Sequence, residues 1–400
     1  VSARQPDGAP APPDGALGPA ARAALGRAPL GVYVHVPFCL TRCGYCDFNT
    51  YTTGDRGAFV TAALAEVGLA ARVLRGDGDE GGAGSAPVRT VFLGGGTPTL
   101  LTPAEIGALL EEVDARIGLA PDVEITVEAN PDTVDEAVLS ALRDRGVTRV
   151  SFGVQSVVPH VLAVLERRHE PARALEVIAA ATTLGFDGVS ADLIYGTPGE
   201  GDADWEASLE AVVAAGVDHV STYGLTIEPG TKLAAQVRRG VVPRPDPDVQ
   251  ARRYAAADAH LRAAGLDWYE LASWSRVDAA RCRHNVGYWR SHDWWGIGPG
   301  AHSHVAGTRW WNVAHPGEYA RRLAAGVSPA RAREELDDAA RRLERVMLEL
   351  RLRDGLDAAL ADDAALDRLV ADGLIDRHGG RAVLTLAGRQ RADHVTEALA

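Results

Sequence analysis

The chain has 400 residues, 46% of them hydrophobic, and carries 54 Asp and Glu against 41 Lys and Arg, a formal net charge of −13. That length admits one large domain with a smaller one, and that apolar share suffices for a real core. The acidic balance argues against nucleic acid as the main partner, since phosphate binding needs a basic face, and no apolar run reads as long enough to span a bilayer.

Residues 1–28 are rich in Ala, Pro, Gly and Arg without apolar periodicity and read as a disordered tail; Asp7 and Asp14 weaken a targeting role. Six short β-branched runs follow, Val32–Val36, Val91–Leu93, Ile125–Glu128, Val150–Val154, Val189–Ile194 and His219–Leu225. Between them lie stretches of helical spacing, Phe59–Leu74, Pro103–Ile117, Asp135–Arg145, Arg173–Leu184 and Trp205–Ala215. Such alternation predicts a parallel sheet of β-α units, an α/β fold. Gly76–Pro87 reads as a solvated glycine-rich loop. The unusual residues fall at the ends of the predicted strands. A cysteine loop follows the first, Gly94–Thr99 the second, and Glu128 closes the third. Gln155 follows the fourth, while Asp192 and Tyr223 lie in the fifth and sixth. In β/α barrels chemistry collects at the carboxyl ends of the strands.

Three of the chain's four cysteines, Cys39, Cys43 and Cys46, form C-x-x-x-C-x-x-C within HVPFCLTRCGYCDF. Few cysteines and no export segment indicate a reducing cytoplasm, which disfavours a disulfide. Structural zinc wants four closed ligands at other spacings, and His35 would be an unusual fourth. Three thiolates suit three irons of a 4Fe–4S cluster, with the fourth iron open to a small chelating ligand. The spacing resembles radical S-adenosylmethionine (radical SAM) enzymes, where that ligand is the amino acid end of SAM. Backbone carbonyls at Gly95 and Gly96 can approach a ligand closely, and Thr97 adds a hydroxyl; a plain tight turn is the alternative. Glu128 ends an apolar strand, where a carboxylate needs a partner: a ligand ammonium, ribose hydroxyls, or an internal salt bridge or cap. Gln155 is placed to bond ribose or carboxylate. Arg167, down the following helix, is placed to neutralise the SAM carboxylate, with Arg168 equally suitable by spacing. Asp192 suits ribose or a structural hydrogen bond.

Taken together, YVHVPFCLTRCGYCDF, FLGGGTPT, SFGVQS and DLIYGTPGE resemble the oxygen-independent coproporphyrinogen III oxidase family from about Gly31 to the C-terminus. The resemblance implies an incomplete (β/α)6 TIM-like radical SAM barrel over residues 29–240, a 4Fe–4S cluster and SAM. It implies SAM contacts from Tyr33, Tyr45, Gly95, Gly96, Thr97, Glu128, Gln155, Arg167 and Asp192. Oxidases of the family carry a further cysteine two residues after the third ligand, where this chain has Phe48. The stretch Cys282–Trp289 contains H-N-x-x-Y-W, similar to the HemW-type heme chaperones, a branch that binds heme. That resemblance implies delivery of heme to a recipient protein. The alternative is radical decarboxylation of porphyrinogen propionates.

On the residues alone, His284 is better read as a satisfied core histidine among Tyr288, Trp289, Trp294 and Trp295; the resemblance makes it a heme ligand, with Arg281, Arg283 and Arg290 near the propionates. His292, His302, His304 and His315 compete for that role. Cys282 reads as an isolated thiol or a second heme contact. Residues 241–333 are expected as a linker carrying this motif and packed on the barrel. Residues 334–400 read as a small C-terminal α+β winged-helix-like domain, a helix, a hairpin at His378-Gly379-Gly380 and a last helix, suited to packing or partner docking. Peripheral membrane contact stays open.

Overall fold

The computed structural model describes residues 6–75 and 86–399, so most of the expected glycine-rich loop lies outside the described residues. The main sheet takes in β1 (Ala9–Pro10), β2 (Leu30–Val36), β3 (Val88–Gly95), β4 (Leu119–Ala129), β5 (Arg149–Gln155), β6 (Gly188–Tyr195), β7 (His219–Gly224), β8 (Asp267–Glu270), β9 (Ser273–Ser275), β10 (Asp293–Ile297), β11 (His302–Val305), β12 (Thr308–Asn312) and β13 (Ala330–Glu335). β2 to β7 run parallel in sequence order and match the six predicted runs, of which the last overshoots its strand by one residue, Leu225. The helices between them also match, with shifts of a few residues at the ends: Asp135, expected inside its helix, is the N-cap and accepts from the Val138 N–H.

Alternation along these strands sorts the side chains. Val32, Val34, Val91, Leu93, Val127, Val150, Phe152, Val189, Leu193 and Val220 join the buried core. The opposite face of the parallel strands carries Tyr33, Phe92, Glu128, Ser151, Asp192 and Ser221, aligned across the sheet by pairings such as Tyr33↔Phe92, Glu128↔Ser151 and Asp192↔Ser221. Because side chains alternate with a period of two, one face packs against helices and the other lines a polar lumen.

Residues 241–333 are not a linker. β8 and β9 extend the sheet beyond β7, while β10 pairs parallel with β2 and leads through β11 and β12 to β13. Among the described residues the order ends at β1 on one side and β8 on the other, with no pairing that closes the sheet. The disordered reading of residues 1–28 is likewise corrected where they are described. β1 pairs antiparallel with β13, helix Pro19–Ala24 follows, and Leu17 and Ala21 are 4% and 6% exposed. Strand pairing with β13 and these two apolar residues help dock a segment whose composition carries no periodic signal.

Helix Arg56–Arg75 corrects the reading that no apolar run is long enough for a bilayer: it passes on length and composition, with a mean hydropathy of 1.6. Here it packs into the core through Phe59, Ala63, Val67 and Leu74, and its buried Glu66 accepts from Tyr319 (2.6 Å), Asn312 (2.8 Å) and the Gly298 N–H (2.8 Å).

A second apolar cluster unites helix Asp338–Glu349, helix Asp363–Ala371, helix Ala392–Leu399 and a three-stranded sheet of β14 (Leu356–Asp357), β15 (Ile375–His378) and β16 (Arg381–Leu384). The hairpin expected at His378-Gly379-Gly380 joins β15 to β16. Arg389 ties this unit to the rest through Asp258 (2.9 Å) and the Tyr254 hydroxyl (3.2 Å), with its guanidinium 4.3 Å from the Trp268 ring centre.

Candidate cofactor site at the strand carboxyl ends

The cysteine loop leaves β2 and is held by its backbone: the Cys39 N–H donates to Tyr51 O (3.0 Å) and the Tyr51 N–H to Pro37 O (2.7 Å). His35 supports it from below, its Nε2 lying 2.9 Å from Asn49 O and its Nδ1 3.0 Å from the Tyr33 hydroxyl. Burial lowers His35 to about 3, so the ring is neutral at ordinary pH. It braces the loop and is no cluster ligand.

Cys39, Cys43 and Cys46 are free, half-buried thiols lining one cavity of about 350 Å³. Eight of the nine residues that the resemblance assigns to SAM line it too: Tyr45, Gly95, Gly96, Thr97, Glu128, Gln155, Arg167 and Asp192. Tyr33 does not, as it faces a second cavity. Burial raises Cys39 and pushes Cys46 up to about 11, which favours neutral thiols until a positive charge is supplied.

The glycine turn lines the cavity and also packs tightly against the cysteine loop. A Cβ on Gly95, whose φ is +106°, would run into the His35 ring, and one on Gly96 into the Phe38 carbonyl. The glycines let the turn pack against the cysteine loop, as the bonds from Gly96 N–H to Val36 O (2.8 Å) and Thr97 N–H to Phe38 O (2.7 Å) show. Thr97 Oγ1 then lies 3.9 Å from Cys39 Sγ.

Glu128 accepts the Gly95 N–H at 3.1 Å, and burial pushes its carboxyl up to about 7. Asp192 accepts from Ser151 Oγ (3.1 Å) and is also raised by burial. Gln155 sits at φ +66°, a left-handed backbone rare outside glycine and typical of functional sites. Arg167 lies beyond the helix expected to carry it, which ends at Leu165 with a left-handed Glu166. That reversal turns its guanidinium to Gly153 O and to Cys43 Sγ (3.7 Å), whereas Arg168 is exposed. Arg167 Nε is buried without a hydrogen-bond partner.

These residues fit the groups that the motif implies. Among the described residues no three His, Cys, Asp or Glu side chains converge on a single metal ion. Three thiols serving separate corners of a cube need not converge. A buried unpartnered guanidinium nitrogen beside raised carboxyls suits a ligand with both a carboxylate and an ammonium.

Below this cavity lies a second, of about 470 Å³, which shares Gly95, Glu128, Ser151 and Tyr223 with it. Its floor is helix Arg283–Trp289, contributing Asn285 and Tyr288, with Cys282 beside them. The helix is bolted to the strands by Glu124, which accepts the N–H groups of Arg283 (2.9 Å) and His284 (3.0 Å) and the Cys282 thiol (3.8 Å). Cys282 thus bonds Glu124 and lines the edge of the lumen.

His284 sits on that helix. It is 3% exposed, with Nδ1 2.9 Å from Thr90 Oγ1 and Nε2 2.8 Å from the Tyr288 hydroxyl. Both ring nitrogens are engaged and burial lowers it to about 3. Its ring also lines a further cavity of about 420 Å³, together with Arg281, Arg283 and Arg290. Arg283 and Arg290, expected at propionates, pair with Asp122 and Asp354, and Arg281 with Asp278. Of the competing histidines, His304 bonds His292 O and His315 accepts the Gly317 N–H. The His302 ring has no hydrogen-bond partner among the described residues; it stacks on Trp311 at 5.8 Å and lines the lumen. Sequence reasoning did not single out Arg149 or Asn285 in this lumen; a charged residue opening the apolar run of β5 was the available signal for the first.

The fold and this site define a radical SAM protein, and the model of the radical SAM superfamily matches residues 33–212. The solved coproporphyrinogen III oxidase HemN of Escherichia coli, a radical SAM enzyme, superposes with a TM-score of 0.79 over 94% of this chain and 91% of its own at 24% identity, a likeness of fold. The heme chaperone HemW of Mycobacterium tuberculosis is 49% identical over 380 residues, covering 93% of this chain and 95% of that one. HemW of Escherichia coli is 36% identical over 280 residues, 69% and 70% of the two chains. The chain belongs to the HemW family.

Proposed function

We propose that this protein is a heme chaperone that binds heme, carries a 4Fe–4S cluster with SAM at the cysteine loop, and hands heme to a recipient protein. The near full-length identity to a heme chaperone carries this reading, and the meeting of three thiols with the glycine turn in one cavity supports it. Cys39, Cys43 and Cys46 would hold the cluster. Tyr45, Thr97, Gln155 and Asp192 would line SAM, Glu128 would face its ammonium and Arg167 its carboxylate. The cluster and SAM together supply one-electron chemistry. This chain's residues bind and orient the ligand and exclude water from it. β2 to β7 form the incomplete barrel, the C-terminal unit is a winged-helix-like docking module, and the site of action is the cytoplasm.

The iron ligand is His302, whose imidazole is the unengaged one facing the lumen. His284 acts through Tyr288, which it holds in the lumen floor. Heme titration of anaerobically reconstituted protein tests both readings. His302→Ala should shift or abolish the Soret band, while His284→Ala should keep it and lower thermal stability. Wild-type protein that binds no heme, or that consumes coproporphyrinogen with SAM and a reductant, would discard the chaperone reading.

A further inference from the structure

Arg149 opens β5 and lines the lumen at the amino end of that strand. The residue is 4% exposed, its Nε and Nη2 have no hydrogen-bond partner, and it forms no ion pair among the described residues. A buried guanidinium is costly unless an acceptor meets it. The nearby carboxylates do not serve: Glu124 is taken by the N–H groups of helix Arg283–Trp289, and Asp192 by Ser151. Other buried arginines of this chain are treated differently, Arg253 pairing with Glu200 at 2.5 Å and Arg389 with Asp258 at 2.9 Å. Arg149 alone among these three points an unpaired fork into an open cavity.

The wall around that fork defines what it would take. Ser190 and Ser221 offer hydroxyls, while Tyr33 and Phe92 stack at 6.3 Å and present flat apolar surface. Asp192 and Glu124 nearby disfavour a doubly charged group such as phosphate. The match is a single carboxylate on a flat apolar body, met by two parallel N–H bonds. We propose that Arg149 anchors a carboxylate side arm of the porphyrin, placing the carried tetrapyrrole inside the lumen next to the SAM cavity. This deepens the heme-chaperone reading and rests on it.

Heme and its dimethyl ester, titrated separately into the reconstituted full-length protein with SAM present, test the assignment through the Soret band. Wild type should bind the diacid about tenfold or more tighter than the diester, the scale of a charge-assisted hydrogen bond. Arg149→Gln should bind both forms alike, at the affinity wild type shows for the diester, and Arg149→Lys should recover part of the preference. The cluster absorbance and far-ultraviolet circular dichroism of each variant report folding. If Arg149→Gln fails to fold, Arg149→Lys against wild type carries the test, since a point charge loses the bidentate geometry and with it part of the preference. A preference unchanged in the variants, or no preference in wild type, overturns the assignment and leaves water as the partner of Arg149. Binding of neither form defeats the heme reading itself and the anchor with it.

Discussion

At the carboxyl end of the strands Glu128 receives one backbone N–H and shares its cavity with an unpartnered Arg167 nitrogen; at the amino end Glu124 receives two N–H groups and a thiol and holds a helix in place. The same contrast separates two histidines: His302 stacks on Trp311 with its nitrogens unengaged, whereas His284 has both occupied. The two ends draw on the same residue types. They differ in how many hydrogen bonds the protein itself supplies, and a polar group left short of partners in a buried cavity marks where a ligand belongs.

Breaking either end should therefore produce different losses. The largest is at the rim: Cys39→Ser should remove the broad visible absorbance and most bound iron of the reconstituted protein while circular dichroism stays native. Retention of full iron content would sink the ligand assignment. At the floor, Glu124→Ala strips the helix of its anchor, and a loss of about 3 kcal/mol is expected, the scale for a buried carboxylate network, read by chemical denaturation. His284→Ala should cost about 2 kcal/mol for its two hydrogen bonds and the space left behind, again with the cluster intact.

Glu128→Gln sharpens the contrast from the other side. SAM affinity should drop about tenfold, with stability little changed or improved, because the glutamine keeps the shape without the burial cost. The wild-type carboxyl is raised to about 7, above its unfolded value of 4.5. Between those values the folded state holds a proton that the unfolded state has lost, so its contribution to stability is present below pH 4.5 and lost as pH rises through 7. Pairing with the SAM ammonium needs the ionised form, so SAM affinity should rise from pH 6 to pH 8, and Glu128→Gln should flatten that rise. A slope unchanged in the variant would remove Glu128 from the ammonium. The smallest effect belongs to the docking of the C-terminal unit: Arg389→Ala should speed proteolysis near residue 336 without altering heme or cluster.

Much of this was legible in the chain. Cys39, Cys43 and Cys46 announce themselves by spacing, since three of the chain's four cysteines fall within one short loop, and the six strands by β-branched runs between helical stretches. Glu128 stood out as a charge in an apolar strand. Residues 9–24 did not, because pairing with β13 lies more than 300 residues away in sequence. Thr90 as a partner of His284 was not legible either, because it lies 194 residues away in sequence.

The six parallel strands, the helices between them and the cysteine loop follow from local signals: periodicity, turn chemistry and spacing act over a few residues and are written in the chain. Which polar groups end up satisfied is another matter. Thr90 closes off His284 and Glu124 captures helix Arg283–Trp289 from partners about 160 to 190 residues distant, while Arg149 is left facing a cavity. Hydrogen bonds reach only about 3 Å, so whether a buried donor finds an acceptor is decided when distant segments pack, and only the tertiary structure distinguishes a brace from a binding site.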